Sequence, residues 1–136
     1  MFETTELAEG CRKAAGADVR LAGDDELCDA VRELAVARSA LDAAEGHVLS
    51  ELEARGVCER EFGLSTTSWV AEQTHAARGV VAGRVRVGCK LRTVLGSVDD
   101  ALGDGTIRFE HARAMVEAAN PRIADEVADL QTTLLD

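Results

Sequence analysis

Apolar positions fall in two kinds of rhythm along this chain. Between residues 24 and 55 the residues Leu27, Ala30, Leu34, Ala37, Leu41, Ala44 and Val48 recur with 3-4-3-4 spacing. That is the heptad pattern of one long helix carrying a seam of alternating large and small side chains. Asp24 can cap it, Asp25 and Glu26 suit the positive end of the helix dipole, and Gly56 follows as a stop signal. The seam fits packing within a bundle or against a second copy, so all seven residues are self-association candidates. Arg38–Asp42 and Glu51–Arg55 are i,i+4 pairs on the solvated side.

Shorter elements flank it. Residues 1–23 form an N-terminal segment in which 3–15 fit a short helix, weakened by Gly10 and Gly16. Ser65 or Thr66 can cap a helix over 67–73, with Trp69, Val70 and Ala71 toward the core. Ser97 and Asp100 resemble a capping box for a helix over 98–103, and Gly105 ends it. Ile107, Ala112, Met115, Val116 and Ala119 mark another short amphipathic helix. Asn120–Pro121 then opens a last one, with Ile123, Val127, Leu130 and Leu134 at 4-3-4 spacing. The chain stops at Asp136 without a closing signal, the pattern expected of a sequence cut short.

The stretch ARGVVAGRVRVGCKLRTVLGS, residues 77–97, reads both ways. Val85, Val87, Cys89 and Leu91 alternate with charged neighbours as in a strand. As a helix, Ala77, Val80, Val81, Val87, Leu91, Val94 and Leu95 share an arc of about 140°. Arg84 falls inside that arc, and Arg78, Arg86, Lys90 and Arg92 fall outside it. Gly79, Gly83 and Gly88 each cost a helix interior up to about 1 kcal/mol.

Composition places the 136 residues among globular chains: 46% are hydrophobic, 29% charged, and Pro occurs once. Ala, Leu and Val dominate, which favours closely packed helices. The net charge of −10 is uneven. Residues 1–61 carry a net of −8, residues 62–98 a net of +4, and residues 99–136 a net of −6. An acidic chain repels phosphate, but the middle third does not. Arg78, Arg84, Arg86, Lys90 and Arg92 are therefore candidates for binding double-stranded DNA, or for neutralising the acidic long helix from within.

Cys11, Cys28, Cys58 and Cys89 are too far apart in sequence for a local zinc knuckle and read as reduced core thiols. His47, His75 and His111 are scattered, and Glu110–His111 and Glu72 with His75 are the only acid–base neighbours, without a nucleophile or ligand set beside them. No catalytic residue, metal site, cofactor or small-molecule ligand is expected. Nothing at the start reads as a signal peptide and no apolar run would cross a bilayer, so the expectation is a cytoplasmic protein without a membrane partner.

Residues 65–118, from STTSWVAEQ through HARAMVEA, resemble the N-terminal helical region of the 13E12 repeat family, actinobacterial proteins of the HNH-endonuclease type. Ser65, Thr66, Trp69, Ala71, Ala82, Arg84, Leu91, Leu95, Ala101, Leu102, Gly105, Ile107 and Ala112 follow the family order. Gly96 and Arg108 depart from it, where proline and serine are preferred. The resemblance implies helix for residues 77–94, and with the helix before it a helix-turn-helix-like pair near 66–94. It also implies that the nuclease module of longer relatives, whose histidines hold a divalent metal, has no counterpart here. The expected whole is an all-α bundle of five or six helices over residues 24–136. Its expected role is non-catalytic, binding DNA through helix 77–94; the alternatives are a homodimer formed through the seam or a remnant without activity.

Overall fold

The computed structural model describes residues 3–119. It is all-α: among the described residues there are seven α-helices and a short 3-10 turn, and no strand. In chain order they are α1 (Thr4–Ala15), the 3-10 turn (Val19–Leu21), α2 (Asp24–Arg55), α3 (Val57–Phe62), α4 (Thr66–Thr74), α5 (Arg78–Thr93), α6 (Gly96–Gly103) and α7 (Phe109–Ala118). The helix foreseen beyond Asn120, with Ile123, Val127, Leu130 and Leu134, lies outside the described residues.

The chain divides into two units, one ending at Glu33 and the other beginning at Leu34, so the division falls inside α2. In the first unit α1 buries no residue, and Asp18 caps the 3-10 turn by accepting from the Arg20 N–H at 3.2 Å. The second unit holds the core. Its larger cluster joins Ala43 of α2, Val87 and Leu91 of α5, Leu95, Val98 and Leu102 around α6, and Ile107, Ala112 and Val116 around α7. A smaller cluster joins Leu49, Ala71, Val81 and Val85.

Local chemistry explains some of the boundaries. The Ser65 hydroxyl accepts from the Ser68 N–H at 3.1 Å and opens α4 as a side-chain cap. His75, at φ 58°, ends α4 in the left-handed region, and α5 begins three residues later. The basic stretch is thus a helix, and its strand-like alternation has no counterpart in the structure. Gly56 does stop α2 at φ 62°, but the chain re-enters helix at once as α3, which the apolar pattern did not signal. Asp24 stands within the first turn of α2 rather than before it. Likewise α6 starts at Gly96, so Ser97 lies in its first turn. Trp69 is half-buried rather than central, and stacks on Phe62 of α3 with centroids 5.0 Å apart and planes 9° from parallel. Of the four cysteines only Cys58 is fully buried; Cys89 is partly buried, while Cys11 and Cys28 are exposed.

Two glycines hold α2 against the rest of the second unit. A Cβ on Gly88 would sit 2.7 Å from the Gly46 carbonyl oxygen and 3.0 Å from its Cα, so α2 and α5 touch backbone to backbone. Gly105, at φ 77°, turns the chain between α6 and α7 directly against Val36, whose Cγ1 would lie 2.6 Å from an added Cβ. By contrast, an added Cβ on Gly83 meets nothing within 4 Å. Opposite outcomes follow for one methyl group. Gly88→Ala should lose about 1–3 kcal/mol by forcing the two backbones apart, and Gly83→Ala should gain about 0.5–1 kcal/mol from helix propensity. Urea denaturation midpoints of the two variants check both signs.

Candidate functional site

The second unit's part of α2 presents two faces. Ser39, Ala43, Leu49 and Ser50 are buried, and Gly46 meets Gly88. The small members Ser39, Ala43, Gly46 and Ser50 repeat at 4-3-4 spacing and point into the bundle. At about 100° per residue, the Leu34, Ala37, Leu41, Ala44, Val48 row lies about 180° away, on the opposite side. It is accordingly in solvent: Leu34 is 56% exposed, Leu41 45% and Val48 37%, and Ala37 and Ala44 are exposed as well. Among the described residues, none of these five row members is buried in the bundle. The seam's remaining members belong to the first unit, where Leu27 is 40% exposed and Ala30 half-buried.

The physical reason is helix separation. Small residues allow the α2 and α5 axes to close until their backbones meet, and a leucine row at that crossing would hold them apart. Leu49 is the one large side chain of α2 that is buried, and it enters the smaller cluster.

The five basic candidates on α5 are placed differently from one another. Arg84 is half-buried: its Nη1 pairs with Asp42 Oδ1, lies 3.7 Å from Glu45 Oε1, and its guanidinium sits 4.0 Å above the Phe109 ring centroid. This agrees with its place inside the apolar arc. Arg92 reaches α2 at Glu51, with Nη2 to Oε1 at 3.0 Å, and Arg86 reaches Glu117 of α7 at 3.4 Å. Arg78 and Lys90 are exposed and have no ion-pair partner among the described residues. Arc positions also shift: Val80 is 58% exposed and Ala77 is the exposed residue preceding the helix, whereas Val85 and Gly88 are buried.

Pairing across helices also displaces one pair expected along α2. Asp42 turns to Arg84 rather than to Arg38, which leaves Arg38 exposed without an ion-pair partner among the described residues. The Arg55–Glu51 pair does form, at 3.2 Å. The Arg55 hydrogen bond, followed by the Arg92 charge, holds the Glu51 carboxyl below the usual carboxylate range. The stability that goes with this depression is present at neutral pH and is lost as the pH falls to the lowered Glu51 value. Burial, with a smaller contribution from Glu53, pushes the Cys89 thiol up despite the opposing Arg92 charge, which keeps it protonated at neutral pH.

Two buried serines use their hydroxyls. Ser39 Oγ accepts from Arg108 Nη1 at 2.9 Å, and the same nitrogen donates to the Gly105 carbonyl at 2.8 Å. Ser50 Oγ donates to the His47 carbonyl at 3.0 Å. Arg108, the departure from the resembled pattern, therefore ties the start of α7 to α2. His111 Nδ1 accepts from the Arg108 backbone N–H at 3.1 Å, so it serves the start of α7 rather than pairing with Glu110. His47 Nε2 lies 2.7 Å from Asp99 Oδ2, a link between α2 and α6 that sequence spacing gave no sign of.

Among the described residues no three His, Cys, Asp or Glu side chains could hold a metal ion together. A cleft of about 270 Å³ opens between α2, α4 and α5, lined by Leu41, Leu49, Val70, Val80 and Val81 with Asp42, Glu45 and Arg84 among its polar residues. Leu41 belongs both to this cleft and to the exposed row, so the apolar surface is continuous around that edge of α2. Among the described residues, no helix is long and apolar enough to cross a membrane. No family model, curated protein or solved structure matches this chain.

Arg84 and Arg78 should separate bundle chemistry from surface chemistry. Arg84→Met removes both carboxylate contacts and the charge above Phe109, and should cost about 1–3 kcal/mol. Arg78→Ala should stay within about 0.5 kcal/mol of the parent. Denaturant unfolding followed by Trp69 fluorescence reads both.

Proposed function

We propose that this chain is a non-catalytic helical interaction module that associates with a second copy of itself through the Leu/Ala row of α2. One observation carries this reading: the helix is anchored by its small face and leaves a heptad-spaced apolar row in water on the opposite side. A row of that spacing has a natural occupant in another helix of the same spacing. The resemblance of residues 65–118 to the 13E12 repeat family enters as part of the proposal. On it, the row would bring two chains together and position the nuclease modules of longer relatives.

Binding of double-stranded DNA through α5 is the second reading, favoured by Arg78 and Lys90, the two basic side chains of α5 without carboxylate partners among the described residues. They stand 12 residues apart, which is about 18 Å along the helix and roughly 120° around it, so they do not form one stripe. Arg84 is committed to α2, and Arg86 and Arg92 are shared with Glu117 and Glu51. Phosphate contacts from this surface would be few.

Sedimentation velocity across about a hundredfold range of concentration tests the first reading. The parent chain should gain mass with concentration. Leu41→Glu should remain monomeric throughout with unchanged helix content, because position 41 already faces water. A parent chain that stays monomeric at the highest concentration sinks the reading. For the second, fluorescence anisotropy of a labelled duplex should show no saturable binding at low salt. Binding that falls steeply with salt and is lost in Arg78→Ala/Lys90→Ala would establish a DNA surface instead.

A further inference from the structure

Resting on the self-association reading, we infer that two copies of α2 pair antiparallel about a two-fold axis, with Leu41 opposite the partner's Ala44 and Val48 opposite the partner's Ala37. Shape points to this arrangement first. In the row, Leu34, Leu41 and Val48 alternate with Ala37 and Ala44. A parallel pair would stack leucine on leucine and alanine on alanine, giving layers alternately too wide and too narrow for one interhelical distance. An antiparallel pair sets a large side chain against a small one in every layer from 37 to 48, so the spacing is uniform.

Charge then selects the register. Heptad spacing allows the antiparallel pair to slide only in steps that keep the row facing itself. In the register proposed, Arg38 comes beside the partner's Glu45, and by symmetry the same contact forms twice. Sliding one step in one direction brings Arg38 against the partner's Arg38 on the axis; one step in the other brings Glu45 against the partner's Glu45. Both neighbouring registers therefore juxtapose like charges. The structure has both groups ready. Asp42 is taken by Arg84, which leaves Arg38 exposed and unpaired among the described residues. The Glu45 side chain is 52% exposed and approaches Arg84 with one oxygen, at 3.7 Å, leaving the other for a partner.

Contact over residues 34–51 would span about 27 Å, short for a coiled coil, so the complex is of the weak and reversible kind.

Charge reversal tests the arrangement in the full chain. Arg38→Glu and Glu45→Lys should each raise the dissociation constant about tenfold, since two attractive contacts become repulsive. Mixed together, the two variants should associate at least as well as the parent, because every contact in the mixed pair is again between opposite charges. Glu45→Gln, which preserves shape and leaves Arg84 its Asp42 partner, should weaken association about threefold. Circular dichroism of each variant establishes that it is folded. If the parent dimerises, but the mixture of Arg38→Glu and Glu45→Lys associates no better than either alone, the antiparallel register is wrong while self-association stands. If the parent is monomeric at every concentration, both fall.

Discussion

The backbone contact between Gly46 and Gly88 is the constraint on which the rest of the structure depends. Two helices can approach that closely only where neither carries a side chain at the crossing, and α2 supplies Ser39, Ala43, Gly46 and Ser50 on the face it turns to the bundle. Once those small residues occupy the inner face, Leu34 and Leu41 of the heptad row are left on the outer one, and only Leu49 enters the smaller cluster. Proximity also decides the electrostatics. With α5 pressed against α2, Arg84 reaches Asp42 and Glu45, and Arg92 reaches Glu51, so part of the basic stretch neutralises the acidic helix beside it.

Much of this architecture was legible in the sequence because it is written in local chemistry. Ser65 caps α4, Gly56 ends α2, and the extent of α2 follows from apolar spacing and that stop signal, whereas the pattern of α5 reads both as strand and as helix and its helix was implied by the resemblance alone. The inner face of α2 was not legible from hydrophobicity, because the leucine row is the more apolar of the two. A signal was present nonetheless: the small residues repeat at 4-3-4 spacing on the other side, and Gly88 supplies a matching gap in α5. The cost of Gly88 to helix propensity is offset there by contact, whereas Gly83 has no such compensation. Partners distant in sequence, such as Arg108 with Ser39 and His47 with Asp99, depend on tertiary placement and leave no periodic trace.

The candidate site follows from the same asymmetry. A helix that packs by its small face keeps its heptad row available, and the ion pairs that anchor α5 strip Arg38 of the carboxylate its own helix would have offered. The apolar row and an Arg38 without an ion-pair partner among the described residues then lie on one exposed surface of the second unit, the surface on which the proposed self-association rests. Surface ion pairs of the kind made by Arg86 and Arg92 are individually weak. The distinction between the basic stretch as internal counter-charge and as a phosphate surface therefore rests on Arg84, the half-buried one.

The two-faced character of α2 is most directly measured through its methyl groups. Solvent paramagnetic relaxation of Leu34, Leu41 and Val48 methyls, with Leu49 and Leu91 as buried references, should be recorded at low and high protein concentration. Strong relaxation of the three row methyls is expected at low concentration, protection of them at high concentration, and protected references at both. Row methyls protected in a sample whose mass is that of a monomer would contradict this, because they would then be packed within their own chain.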